Sequence, residues 1–148
     1  LSGYGRKLLI DHSVWARATD GRLTGPPRER FDAALASDEL WTCPPALLEM
    51  RYSAQDSKMF ALTAKRLDAL EHAPLTAEAA ASALTAQAAL AATPGISHRV
   101  KPVDLLIAAI AAGENVGVLH YDHDYDTIAE HTALSFTSTW VAPRGSLD

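Results

Sequence analysis

Apolar positions along the chain come in two periods, and the alternation between them sets out the elements. Lys7-Leu8-Leu9-Ile10 is a short apolar run of the kind that forms a buried parallel strand. Asp11 or Ser13 follows as a helix cap, opening a helix that runs towards Asp20. Gly21 to Pro27 reads as a loop, and Arg28 to Ser37 as an amphipathic helix with Phe31, Ala34 and Leu35 on its apolar side. Leu40 to Cys43 is a second strand, halted by Pro44-Pro45. The spacing then predicts a helix over Pro45 to Gln55, with proline in its first turn. Another is predicted over Ser57 to Leu70, followed by a short strand within Glu71 to Leu75.

Thr76 opens an alanine-rich helix that reaches Ala92 and is stopped by Thr93-Pro94-Gly95. After a loop carrying His98, Arg99 and Lys101 comes Val103 to Ala112, apolar on nearly every side. That helix is expected to end near Gly113. Val116 to His120 is the next strand, Tyr125 to His131 a short helix, and Leu134 to Val141 a last strand. Strands alternating with helices imply an α/β domain with a mainly parallel sheet covered on both faces. The whole of residues 1–148 is read as one domain, with residues 1–6 and 143–148 as loose ends.

Composition narrows the class. Hydrophobic residues make up 48% of the 148 and charged ones 21%, which is globular rather than disordered. One cysteine, Cys43, excludes an intramolecular disulfide framework and fits a reducing, cytoplasmic setting. The longest apolar run, Leu105 to Ala112, is far short of a membrane span, and no signal peptide is discernible. A net charge of −5 does not advertise a nucleic-acid binder. It is also what a chain gathering carboxylates around metal would show, and bound ions invert the local field.

The acids carry the chemistry. Asp104 stands at the first turn of the most apolar helix, and a lone buried charge is costly unless a partner or a metal meets it. In open parallel sheets, ligands bind at the carboxyl ends of the strands. Asp11 and Asp122 each follow an apolar run at such an end, and Glu49 lies about a turn into the helix after the Cys43 strand. All four can face one rim. Packed together they would repel, which Mg²⁺ or Mn²⁺ would resolve, and such ions support phosphodiester chemistry. Three of them also have a plainer reading: Asp11 and Asp104 as helix caps, Glu49 as an exposed helical residue.

Other metal readings fail on spacing. Asp122-x-Asp124-x-Asp126 begins like a calcium loop, but Thr127 and Ala133 stand where glycine and glutamate are needed. His120 and His123 lack a complementary Cys or His pair for zinc, so a surface or packing role is expected of them. A nucleophilic-Asp phosphatase would want an acid two residues after Asp11, where Ser13 stands. Trp15, Trp41 and Trp140 read as core. His98, Arg99 and Lys101 are candidates to hold phosphate groups.

Taken together, Asp11-x-Ser13-Val14, Glu49, Pro102-x-Asp104-Leu105-Leu106-Ile107-Ala108-Ala109 and Leu119-x-x-Asp122-x-Asp124-Tyr125 resemble the PIN-domain ribonucleases. Within them the resemblance is best to the VapC toxins of bacterial toxin–antitoxin pairs, and it covers Leu8 to Val141. It implies a three-layer α/β/α sandwich and a metal-dependent endoribonuclease (Mg²⁺ or Mn²⁺) that cuts RNA with metal-activated water. Asp11, Glu49, Asp104 and Asp122 match the family's metal-site acids, Asp124 a further acid, and Ser13 a hydroxyl that often lies beside the metal. It also implies a homodimer silenced by a VapB-type antitoxin whose tail offers Arg or Lys to the acids. Two residues depart from the pattern. His12 stands where a small residue is commoner, and Tyr125 replaces a more usual Phe, a change expected to alter packing little. A PIN-like binding module without catalysis, or another metal-dependent phosphoryl hydrolase, are the competing readings.

Overall fold

The computed structural model describes residues 2–148. Five strands form one sheet: β1 (Leu8–Ile10), β2 (Leu40–Thr42), β3 (Glu71–His72), β4 (Gly117–His120) and β5 (Ser138–Trp140). Their order is β3-β2-β1-β4-β5 and every pairing is parallel. Seven helices connect them: α1 (His12–Thr19), α2 (Gly25–Ala36), α3 (Pro44–Tyr52), α4 (Ser57–Asp68), α5 (Ala77–Ala92), α6 (Pro102–Glu114) and α7 (Asp124–His131). Successive strand residues point to opposite faces, yet Leu8, Leu9 and Ile10 are all 0% exposed. Both faces of the sheet are therefore covered, giving the three-layer α/β/α sandwich expected.

The strand order places the chain's one reversal of direction between β1 and β4. From β1 the chain steps outward to β2 and β3, then returns to lay β4 on the other side of β1. Carboxyl ends of neighbouring strands on the two sides of such a switch splay apart and leave a crevice. Register pairs Ile10 with Leu119, so Asp11 and the segment after His120 emerge side by side. Asp11 N–H donates to Leu119 O at 2.9 Å, extending the ladder by one bond. Gly117 permits this close packing at the other end of β4, where a Cβ would come within 2.6 Å of Leu8 and 2.8 Å of Thr137 O.

Helix α6 is the internal element. Leu105, Ile107, Ala108, Ala109, Ile110 and Ala111 are all buried, and Asp104 with them. It packs against α5, whose buried residues Ala79, Ala83, Ala86 and Leu90 recur at helical spacing and let the two axes approach. Asn115, at φ 56°, ends α6 in a left-handed cap.

The clearest differences from the sequence reading lie at three boundaries. Helix α2 starts at Gly25 rather than Arg28, because Pro26 and Pro27 fill first-turn positions that need no N–H donor. Helix α3 stops at Tyr52, capped through Ser53, short of Gln55. Strand β5 covers only the last part of Leu134 to Val141; Leu134 is buried but lies outside the ladder. Both ends make contacts with the rest of the fold. Tyr4 is buried, its N–H donates to Glu39 Oε1 at 2.6 Å, and the Arg30 guanidinium lies 4.5 Å from its ring centroid. At the other end Leu147 N–H donates to Tyr121 Oη at 3.1 Å, and Asp148 pairs with Arg17 at 3.1 Å. Leu1 of the expected loose start lies outside the described residues.

Candidate metal centre

At the crevice the four sequence-selected acids come together. One oxygen each from Asp11, Glu49 and Asp104 lie within 4.8 Å of one another, and so do one each from Asp104, Asp122 and Asp124. Asp104 is common to both groups. Oxygens sharing one octahedral Mg²⁺ at about 2.1 Å sit about 3.0 Å apart when adjacent and about 4.2 Å apart when opposite, so the side chains of either set would draw in around an ion by up to roughly 2 Å.

Asp11 is both a cap and a site acid, so its two readings are compatible. As N-cap of α1 its Oδ2 accepts the Ser13 N–H at 3.0 Å and the Ser13 hydroxyl at 2.5 Å. Ser13 Oγ in turn accepts the Tyr121 N–H at 2.9 Å, tying the start of α1 to the end of β4. The proton of Ser13 is thereby committed to Asp11, and the residue serves as an anchor of the acid. His12, beside it, keeps its Nδ1 buried and unpartnered.

Asp104 enters from the first turn of α6, a position set by Pro102 at the helix start. It is 1% exposed and its Oδ2 has no hydrogen-bond partner. Glu49 reaches in from α3, half-buried. Asp122 follows β4 and is fixed twice: Oδ1 accepts the Asp124 N–H at 2.9 Å and Oδ2 accepts from Lys101 Nζ at 3.0 Å. Lys101 Nζ also lies 3.9 Å from Asp104 Oδ2. His98 and Arg99 are exposed on the preceding loop, and among the described residues neither side chain forms a hydrogen bond or ion pair.

Sequence reasoning missed one member of the site. Tyr125, fully buried, donates its hydroxyl to Asp11 Oδ1 at 2.7 Å, with Asp104 Oδ1 3.3 Å away. The exchange of Phe for Tyr is therefore not a minor packing change; it places a neutral donor between two acids. The only available signal was the departure itself, a phenol directly after an acid-rich stretch. Behind Tyr125 the His120 ring stacks at 4.9 Å. His120 is buried, its Nδ1 accepts the Asp122 N–H at 3.2 Å, and its Nε2 lies 2.7 Å from Ser138 Oγ. Ser138 donates to Asp126 at 2.6 Å, so Nε2 carries the imidazole proton and the ring is a neutral support for the Asp122 turn.

Titration behaviour follows from this packing. Burial, reinforced by Asp11, pushes the Asp104 carboxyl up to about 8. Burial and Asp11 also raise Glu49, while burial and Asp122 raise Asp124. Asp122 moves the other way: burial opposes ionisation, but the Asp124 amide and Lys101 outweigh it. Lys101 is raised despite its own partial burial, through its hydrogen bond to Asp122 and the field of the other carboxylates. Burial lowers His120 to about 4, in keeping with a neutral ring.

The residues fit a divalent cation. An orphaned, buried carboxylate oxygen and an all-oxygen donor set suit Mg²⁺ or Mn²⁺ and not zinc. Two groups of acids are close enough to hold one, Asp11 with Glu49 and Asp104, and Asp104 with Asp122 and Asp124.

Comparison with known proteins agrees with this geometry. The PIN domain pattern matches residues 8–131. The chain is 36% identical to ribonuclease VapC18 of Mycobacterium tuberculosis over 139 residues, covering 93% of this chain and 97% of that one. It is 35% identical to ribonuclease VapC51 of the same organism over 101 residues, 68% and 71% of the two chains. Among solved structures, a chain of DNA-bound VapBC from Salmonella typhimurium superposes with a TM-score of 0.70 at 20% identity, covering 93% of this chain and 99% of that one. A chain of VapBC2 from Rickettsia felis, bound to a promoter DNA fragment, gives 0.66 at 16% identity, covering 90% and 98%. At those identities the structures speak for the fold. With a matched pattern over most of its length and a relative covered almost end to end, the chain belongs to the PIN-domain family, among its VapC-type members.

Proposed function

We propose that the protein is a divalent-metal-dependent endoribonuclease, the toxin of a toxin–antitoxin pair. The observation that carries this reading is the meeting of Asp11, Glu49 and Asp104 at the end of β1, with a buried Asp104 oxygen left without a partner. The names of the ribonuclease VapC relatives support the choice of RNA as substrate.

Mg²⁺ or Mn²⁺, when bound, supplies a Lewis acid for the phosphate oxygens and lowers the pKa of water. The chain does the rest. Asp11 and Asp104 hold their oxygens in place through Ser13, Tyr125 and the rigid start of α6. Glu49 is the more open of the three, half-buried where Asp11 and Asp104 are buried. His98 and Arg99, exposed on the loop before α6, are the candidates to steady RNA phosphates. Hydrolysis would leave a 5′ phosphate and a 3′ hydroxyl. The partner in this reading is a VapB-type antitoxin, whose tail presents Arg or Lys to the acids of a cytoplasmic homodimer. The VapBC complexes among the structural neighbours support that choice of partner.

The test is cleavage of a total-RNA pool by the purified, antitoxin-free protein with Mg²⁺, with Mn²⁺ and with chelator, beside Asp104→Asn. Discrete fragments that need metal and vanish in the variant are the expected result. Equal cleavage by both proteins would remove the assignment. Absence of cleavage by the folded wild type in every condition would favour a non-catalytic binding module.

A further inference from the structure

The carboxylate cluster has two halves that share Asp104, and their charges are balanced differently. Among the described residues, the hydrogen bonds to Asp11 and Asp104 come from neutral donors, the hydroxyls of Ser13 and Tyr125 and the Ser13 amide, and neither Asp11 nor Glu49 forms an ion pair. Asp104, Asp122 and Asp124 already have an ammonium group: Lys101 Nζ is 3.0 Å from Asp122 Oδ2 and 3.9 Å from Asp104 Oδ2. We infer that Lys101 is the resident cation of this second half, so that each chain binds one divalent ion, between Asp11, Glu49 and Asp104. The inference rests on the metal-dependent reading of the site.

Local structure explains why Lys101 is there. It is the N-cap of α6, its carbonyl accepts the Asp104 N–H at 3.0 Å, and it stands one turn before that acid. The backbone of the two residues is therefore a single unit, and the lysine needs only to reach across to the β4 end to find Asp122. That oxygen is presented to it by a second fixed turn, in which Asp122 Oδ1 accepts the Asp124 N–H. A second divalent ion would be held by Asp104, Asp122 and Asp124, two of which already face the ammonium. It would meet the ammonium at a separation where like charges repel strongly. The first half is where a cation is still needed, since among the described residues neither Asp11 nor Glu49 forms an ion pair, whereas Asp122 has one. Asp104 is 1% exposed and its Oδ2 makes no hydrogen bond, while Lys101 stands just beyond bonding distance of it. With a side chain 62% exposed, Lys101 can be replaced without opening the core.

The experiment counts bound Mn²⁺ by electron paramagnetic resonance of the free ion during titration of the metal-free protein. It compares wild type, Lys101→Gln and Lys101→Arg, each shown folded by circular dichroism. Wild type and Lys101→Arg are expected to bind one ion per chain, and Lys101→Gln two. Two ions on the wild type would overturn the inference and leave the metal site standing. One ion on Lys101→Gln, at unchanged affinity, would overturn it as well. No ion on the wild type would overturn the metal reading itself, a failure plainly distinct from the other two.

Discussion

Comparing the deep half of the carboxylate cluster with the rim half shows how one fold treats like charges in two ways. In the deep half, Asp11 and Asp104 are 2% and 1% exposed and are gripped by neutral hydroxyls, which orient the oxygens without neutralising them. On the rim, Asp122 is bound by a backbone amide and by Lys101, and its carboxyl is pulled below the ordinary range. The deep half stores an electrostatic cost; on the rim that cost is discharged at Asp122. Asp104 belongs to both and bears the cost most visibly, with its carboxyl raised to about 8. A site that must attract a cation gains from leaving some of its charge uncompensated, whereas a fully satisfied cluster would have little to offer an ion.

The largest effect should come from breaking the two halves separately. Asp11→Asn is expected to lower metal-dependent RNA cleavage by about a thousandfold or more, the scale of losing a group that stabilises the transition state through its metal. Asp122→Asn, which leaves the deep acids intact, should cost roughly ten- to a hundredfold, as loss of a supporting partner does. Equal losses in single-turnover assays of the two variants would erase the distinction between the halves.

A middle-sized effect concerns pH. Asp104 in the folded, metal-free protein holds its proton up to about pH 8, against an ordinary value of 3.8. Between those values the folded chain binds more protons than the unfolded one, so its stability falls as pH rises and levels off above about 8. Asp104→Asn removes the titration. In chelator it should melt higher than wild type at pH 8, by about 5 °C, with the gap closing towards pH 5. Metal affinity has the opposite slope, because the ion displaces that proton: it should rise about tenfold per pH unit below pH 8. Thermal melts and metal titrations across pH check both, and a flat wild-type profile in both would mean that Asp104 is ionised throughout.

The smallest expected effect tests the grip on the deep half. Tyr125→Phe removes only the hydroxyl that Asp11 accepts, at a cost of about 1 kcal/mol in stability. It should weaken Mn²⁺ binding a few-fold by freeing the Asp11 carboxylate, with no change in the Lys101–Asp122 pair. Affinity equal to wild type would show that Ser13 alone orients Asp11.

Much of this was legible in the chain. Leu8 to Ile10 and Val116 to His120 are apolar runs too short for helices, and the alternation of strand and helix leaves few ways to build a sheet. The four acids stood out because each adjoins a buried element, where a carboxylate is expensive. Boundaries were less legible at Gly25 and Ser138, since proline tolerates a helix's first turn and an edge strand has one partner only. The grip on the termini was hidden, because Tyr4 with Glu39 and Arg17 with Asp148 meet across the fold.

What the sequence determined by itself, then, is the set of elements and the identity of the acids, because hydrophobic period and the cost of burying charge are local properties of residues. Which acid has a proton donor, which has a cation and which has neither was decided only when β4 was laid beside β1. That pairing brings Tyr125 to Asp11 from 114 positions away and Lys101 to Asp122 from 21. Contacts of that reach depend on the register of the sheet and the placement of α6 against it, and no local pattern in the chain specifies them.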